Sequence, residues 1–261
     1  MRAPGFADVL RSEWLKFRSL RAPVLTAAGA LAAGIGYGIL FGLQGARQYL
    51  LAAPADQAAF DPYEAVSRPL LFVQVILAAM GALIVTSEYR SGMMPVSVTA
   101  VPGRGRLLMA KAVVAGVAGL AVGAVTAVAT FLTGHAVLAA GGAPSLTLAD
   151  PGVPGALTGT ALYLAMATLL GVATGTLVRA SAGAVSLLAV GMVLVPAMAS
   201  VYPEWLSRFV LTFWPTVAGM RITALRLDPR FMAPLPGFVL LCGFVAVMVG
   251  AALWAFRSRD V

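Results

Sequence analysis

The sequence predicts an all-α membrane protein with six spanning helices, and three observations carry that expectation. Six stretches hold no Asp, Glu, Lys or Arg, approximately 23–43, 69–86, 112–140, 155–178, 183–202 and 236–256. A helix rises about 1.5 Å per residue, so about 20 residues match a hydrocarbon layer about 30 Å thick. Hydrophobic residues make up 60% of the 261 and charged residues 11%, where a soluble domain carries about 25% charged. The charges that remain fall in the connections between spans, beside lipid headgroups. The whole chain, 1–261, reads as one polytopic domain, and its net charge of +8 reads as topology rather than as a nucleic-acid face.

The segment 6–20 is expected to be an interfacial helix. Phe6, Val9, Leu10, Trp14, Phe17 and Leu20 recur at helical spacing, while Arg11, Ser12, Lys16, Arg18 and Ser19 fall elsewhere on the wheel. Such a helix fixes topology and offers a working surface, here through Trp14, Lys16, Phe17 and Arg18. Arg21 and Pro23 mark the turn into the first span, where a missing amide costs no hydrogen bond. That span is too long for a typical signal peptide and is expected to remain as an anchor.

Within the spans, Gly34, Gly38 and Gly42 step by four and are read as a packing seam. Gly119 with Gly123, Gly155 with Gly159 and Gly171 with Gly175 are what chance supplies among 28 glycines. Gln74, Thr126, Thr130, Thr168, Thr174 and Thr176 are read as packing groups, and His135 as a hydrogen-bonded residue near the outer end of its span.

The connection after the second span holds Glu88, expected to stand at the amino end of a short helix, where a carboxylate is favoured. Gly92 is expected to leave room for another backbone. In the fifth connection Trp205, Leu206, Phe209, Val210, Phe213 and Trp214 form an apolar stripe closed by Pro215, which predicts an aromatic helix in the outer interface. A second short segment, from Thr216 to Leu227, ends at Asp228 and Pro229; interfacial and re-entrant arrangements both fit the spacing.

Lys and Arg number 12 on the side of the termini and 6 on the other, so both termini are expected in the cytoplasm. The single cysteine, Cys242, excludes an intrachain disulfide and a cysteine metal site. Apart from Cys242 and tyrosines, the spans carry one ionisable side chain, His135, too few for an intramembrane protease, and no midplane carboxylate for an ion-coupled carrier. Neither Lys16 nor Lys111 follows the glycine of a phosphate-binding loop, so any ATP chemistry belongs to another polypeptide. The chain is therefore not expected to be an enzyme.

The run Glu88, Arg90, Gly92, then Pro102, Arg104, Arg106 and Lys111, resembles the first cytoplasmic connection of permease subunits in ABC-2 type ATP-binding-cassette transporters. The opening from Ser12 to Arg21 and the ending from Phe256 to Val261 are similar to many bacterial members, although Met93 and Met94 stand where a Thr often follows the glycine. The resemblance implies an exporter in a bacterial plasma membrane. It also implies two permease units, a second copy or a paralogue, paired with two ATPase subunits that hold ATP and magnesium, with no cofactor on this chain. It assigns Glu88, Arg90, Gly92, Pro102, Arg104 and Arg106 to coupling with the ATPase, and matches the segment from Glu204 to Leu227 to the paired short helices before the last span. The alternative from a different class is a non-transporting scaffold or immunity-type membrane protein that binds partners through a basic cytoplasmic face.

Overall fold

The computed structural model describes residues 5–67, 70–95, 103–226, 228–229 and 231–258, and every regular element among them is helical. In order they are α1 (Phe6–Ser19), α2 (Arg21–Leu51), α3 (Pro54–Ala58), α4 (Pro62–Ser67), α5 (Leu70–Arg90), α6 (Arg104–Ala140) and α7 (Val153–Val178). They continue with α8 (Ser181–Val201), the short α9 (Glu204–Phe213) and α10 (Pro215–Met220), and α11 (Pro234–Ser258). Six of the helical runs are long and apolar enough to cross a bilayer, and the six charge-free stretches fall on them; Pro69, the expected start of the second, lies outside the described residues.

Helix α6 overshoots its apolar stretch. Its 37 residues make a rod about 55 Å long, so Arg104, Arg106 and Lys111 ride on a projecting first two turns. Helix α7 is the hub, packed against α5, α6, α8 and α11. By contrast α2, α8 and α11 turn much of their apolar surface outward, with Leu25, Leu40, Leu51, Leu187, Val239, Val247 and Trp254 exposed. Contiguous apolar surface of that kind suits lipid or another membrane helix.

Small residues set the helix spacing. Gly34, Gly38 and Gly42 face Thr126, Thr130 and Gly134 of α6, as the four-residue step predicts. The pairs attributed to chance also include close seams. A Cβ on Gly171 would overlap the Ala78 carbonyl, and one on Gly81 the Thr168 carbonyl, so α5 and α7 meet backbone to backbone. Gly119, Gly123, Gly159 and Gly175 are likewise occupied, whereas Gly155 faces open space.

Helix α8 carries a turn of π-helix at Val190–Leu194, followed by Pro196. The amide of Val195 bonds Val190 rather than Gly191, and Pro196 has no amide to give Met192. Both stranded carbonyls find side chains. Trp214 Nε1 donates to the Gly191 oxygen at 2.7 Å, and Gln74 Nε2 to the Met192 oxygen at 3.4 Å. The Tyr163 hydroxyl donates to Gln74 Oε1, which completes a buried link from α7 through α5 to α8.

If the α5–α7 seam depends on the absence of a side chain, Gly171→Ala should lower stability by about 1–3 kcal/mol through overpacking. Gly36, with nothing within 4 Å of an added Cβ, should accept Ala with an unchanged or raised melting temperature. Thermal unfolding of the two variants in one detergent checks the contrast.

Candidate functional site

At the end of the bundle that carries both termini, α1 lies across α6 and presents Val9 and, one turn later, Glu13 to the interior. Glu13 is 4% exposed, Glu88 6% and Lys111 1%. Buried ions are tolerated only when paired, and these are. Lys111 Nζ donates to Glu13 Oε2 at 2.7 Å and to Glu88 Oε1 at 2.5 Å. Lys16 Nζ donates to Glu13 Oε1 at 2.7 Å and to Glu88 Oε1 at 3.2 Å. Two carboxylates and two ammonium groups thus alternate with no net charge, joining α1 to the last turn of α5 and the second turn of α6.

Apolar packing surrounds this quartet: Val9, Ile84, Leu107, Leu108 and Phe256 are all buried beside it. A small crevice opens between the quartet, Phe17, Pro23 and Val114. Glu88 Oε2 is buried with no hydrogen-bond partner among the described residues, so the quartet is not saturated. Burial opposes the charge on Lys16, but the hydrogen bond and charge of Glu13, with those of Glu88, outweigh it and hold the amine above its ordinary value. A raised lysine stabilises the fold fully below the unfolded lysine pKa of about 10.4, and that support is lost only as pH rises through the raised value.

The sequence-predicted residues divide between buried and exposed positions. Glu88 does not open a helix; it sits in the last turn of α5, where the helix dipole disfavours an anion. Lys16 and Lys111 offset that cost. Gly92 does not make room for a neighbouring backbone, since nothing lies within 4 Å of an added Cβ. Its φ of +67° closes α5, with the amide of Gly92 bonded to the Tyr89 oxygen at 3.3 Å and that of Met93 to the Glu88 oxygen at 3.0 Å. This is the Schellman arrangement that favours glycine. Arg90 and Arg106 are exposed and Arg104 is half-buried; Pro102 lies outside the described residues. On α1, Trp14 and Arg18 are exposed, and Trp14 stacks on half-buried Phe17 with ring centroids 5.8 Å apart.

Composition held a signal for the two residues that sequence reasoning did not assemble. Glu13 is the one acid on the inward face of α1, and the chain has only two lysines among 18 basic residues, both drawn into the quartet.

At the opposite end, Trp205, Phe209 and Phe213 of α9 are exposed, as an interfacial stripe requires, while Trp214 turns inward to its bond with Gly191. The next segment folds back on the bundle. A Cβ on Gly237 would overlap the Ala218 carbonyl, and one on Gly159 the Ile222 carbonyl, so residues 215–223 lie tight against α11 and α7. Leu227, the expected end of that segment, is outside the described residues.

The fold thus defines a multi-pass, all-α membrane protein. No family model and no curated protein sequence matches this chain.

Three substitutions probe the end of the bundle that holds the quartet. Lys111→Met leaves an uncompensated buried carboxylate and should destabilise by about 3–5 kcal/mol. Adding Glu88→Gln restores neutrality, so the double variant should lose less than the sum of the single losses in a thermal-unfolding cycle. Gly92→Ala should cost about 1–2 kcal/mol for its left-handed backbone, measured by the same assay.

Proposed function

We propose that this chain is the membrane-spanning permease subunit of an ABC-2 type exporter, driven by separate cytoplasmic ATPase subunits. The observation that carries the reading is the buried quartet, because it fastens an amphipathic surface helix to the ends of two membrane helices. Separating buried charge partners costs several kcal/mol. A push on α1 therefore moves the adjoining ends of α5 and α6 with it rather than sliding over them.

In this reading the termini are cytoplasmic and the ATPase engages the inner end from below. Arg90 and Arg106, exposed there, pair with acids of the ATPase or with lipid phosphates. Arg104 and Pro102 belong to the same connection, and Gly92 fixes where the connection leaves α5. Glu88 acts at one remove, by holding α1 in place. The outward apolar faces of α2, α8 and α11 meet lipid and a second permease unit. ATP and magnesium reside on the partner. Energy arrives mechanically, in keeping with spans that hold no carboxylate near their middle.

Affinity purification from the native membrane should recover an ATP-binding subunit with this chain. In the reconstituted complex, Glu88→Ala should reduce transport more than assembly, measured as substrate uptake into inverted vesicles beside the yield of intact complex. Full transport by the chain alone in liposomes would refute the reading. Export that is equal with and without the chain, at normal expression, would favour a scaffold instead.

A further inference from the structure

A second feature lies in the half of the bundle away from the termini and is independent of the quartet. Between α4, α5, α6 and α7 there is a narrow, open-mouthed hollow. Its polar lining comes from Tyr63, Ser67, Thr126, Thr130, His135 and Thr160, set among Phe131 and aliphatic side chains, and none of the described lining residues is formally charged at neutral pH.

Two of these polar groups are deeply buried and lack a partner among the described residues. His135 is 4% exposed and its Nδ1 accepts the backbone N–H of Leu146 at 3.1 Å. An accepting Nδ1 carries no proton, so the proton of the neutral ring is on Nε2, and Nε2 is unpaired. Thr126 is 1% exposed, and its Oγ1 is also unpaired. Thr86, Thr133, Thr160, Thr168 and Thr176 each return their hydroxyl to the carbonyl four residues back. Thr126 does not, and its methyl group is the part that faces Gly34. A buried donor left unmade costs about 1–3 kcal/mol, and here two such groups border one cavity.

We propose that this hollow is a binding site for an elongated, uncharged lipophile carrying a hydrogen-bond acceptor such as a carbonyl, which the Nε2–H of His135 engages. Nine residues of α6 separate His135 from Thr126, roughly 13 Å along the axis, so the occupant lies lengthwise along α6. The described lining disfavours an ion, because a charge placed there meets no counter-charge among those residues. The carbonyl belongs either to the ester of a membrane lipid or to a free lipophile. The described lining belongs to this chain, and the proposal does not rest on the transport reading.

The test uses the full chain, without any ATPase, in nanodiscs labelled with benzophenone under near-ultraviolet light and mapped by peptide mass spectrometry. Labelling should saturate and concentrate on residues 126–135 of α6 and 157–164 of α7. Dicyclohexyl ketone should compete about fivefold or more better than dicyclohexylmethane, which has the same bulk and no acceptor, as the loss of one buried hydrogen bond requires. Thr126→Val and His135→Phe should each weaken labelling, and the competitor pair keeps the test intact on the unaltered chain should either variant fail to fold. Weaker labelling in ester-linked than in ether-linked lipid assigns the carbonyl to a resident lipid, and equal labelling assigns it to a free lipophile. Unsaturable label spread over α2 and α11, or ketone and hydrocarbon competing equally, overturns the proposal.

Discussion

Four charges at one end of the bundle decide how the surface helix meets the membrane helices. Glu13 and Lys16 come from α1, Glu88 from the end of α5 and Lys111 from the start of α6. None of the three deeply buried members is tolerable alone, and the full set of pairs forms only when all three helices are in place. The quartet therefore makes the position of α1 conditional on the relative position of α5 and α6. Its apolar collar, with Val9 and Phe256, shields Glu13, Glu88 and Lys111 and strengthens the mutual attraction of the charges. The same collar gathers the first and last helices at one place, so the two ends of the chain are registered against a single point.

Elsewhere the bundle is held by close backbone contact and by strict hydrogen-bond accounting. Lipid tails offer no hydrophobic drive for helix association, so packing falls to small residues that let helices touch. Gly81 and Gly171 bring α5 and α7 together, and the glycines of α2 seat it on α6. Where α8 departs from α-geometry, its two stranded carbonyls are both satisfied by side chains from elsewhere in the bundle, Trp214 and Gln74. An irregular backbone inside a membrane persists only on such terms. Trp214 thereby ties the aromatic segment around α9 to the middle of a spanning helix.

The sequence disclosed the six spans, the amphipathic first helix and the short helix with the exposed aromatic stripe, because each rests on local pattern that a one-dimensional reading captures. Gly34, Gly38 and Gly42 were legible for the same reason. Gly81 was not, since its packing partner, Thr168, lies 87 positions along the chain and no four-residue repeat marks it. Glu88 shows the limit most clearly. A charge beside a span end is ordinarily solvated, and spacing alone does not reveal that α5 continues past it to Arg90 while α1 and α6 close over it. The unpaired Thr126 was equally hidden, because its neighbours in sequence resemble those of threonines that bond their own helix.

Helix α6 contains no proline and no break from Arg104 to Ala140, unlike α8 with its π-turn and Pro196. Sharp kinks arise at such interruptions, and an unbroken rod bends only gently. Lys111 and His135 sit on this one rod, 24 residues or about 36 Å apart. A roll of its lower end turns the upper end through nearly the same angle, with no joint to absorb the twist. The charged corner at one end and the hollow toward the other thus share a single unbroken rod.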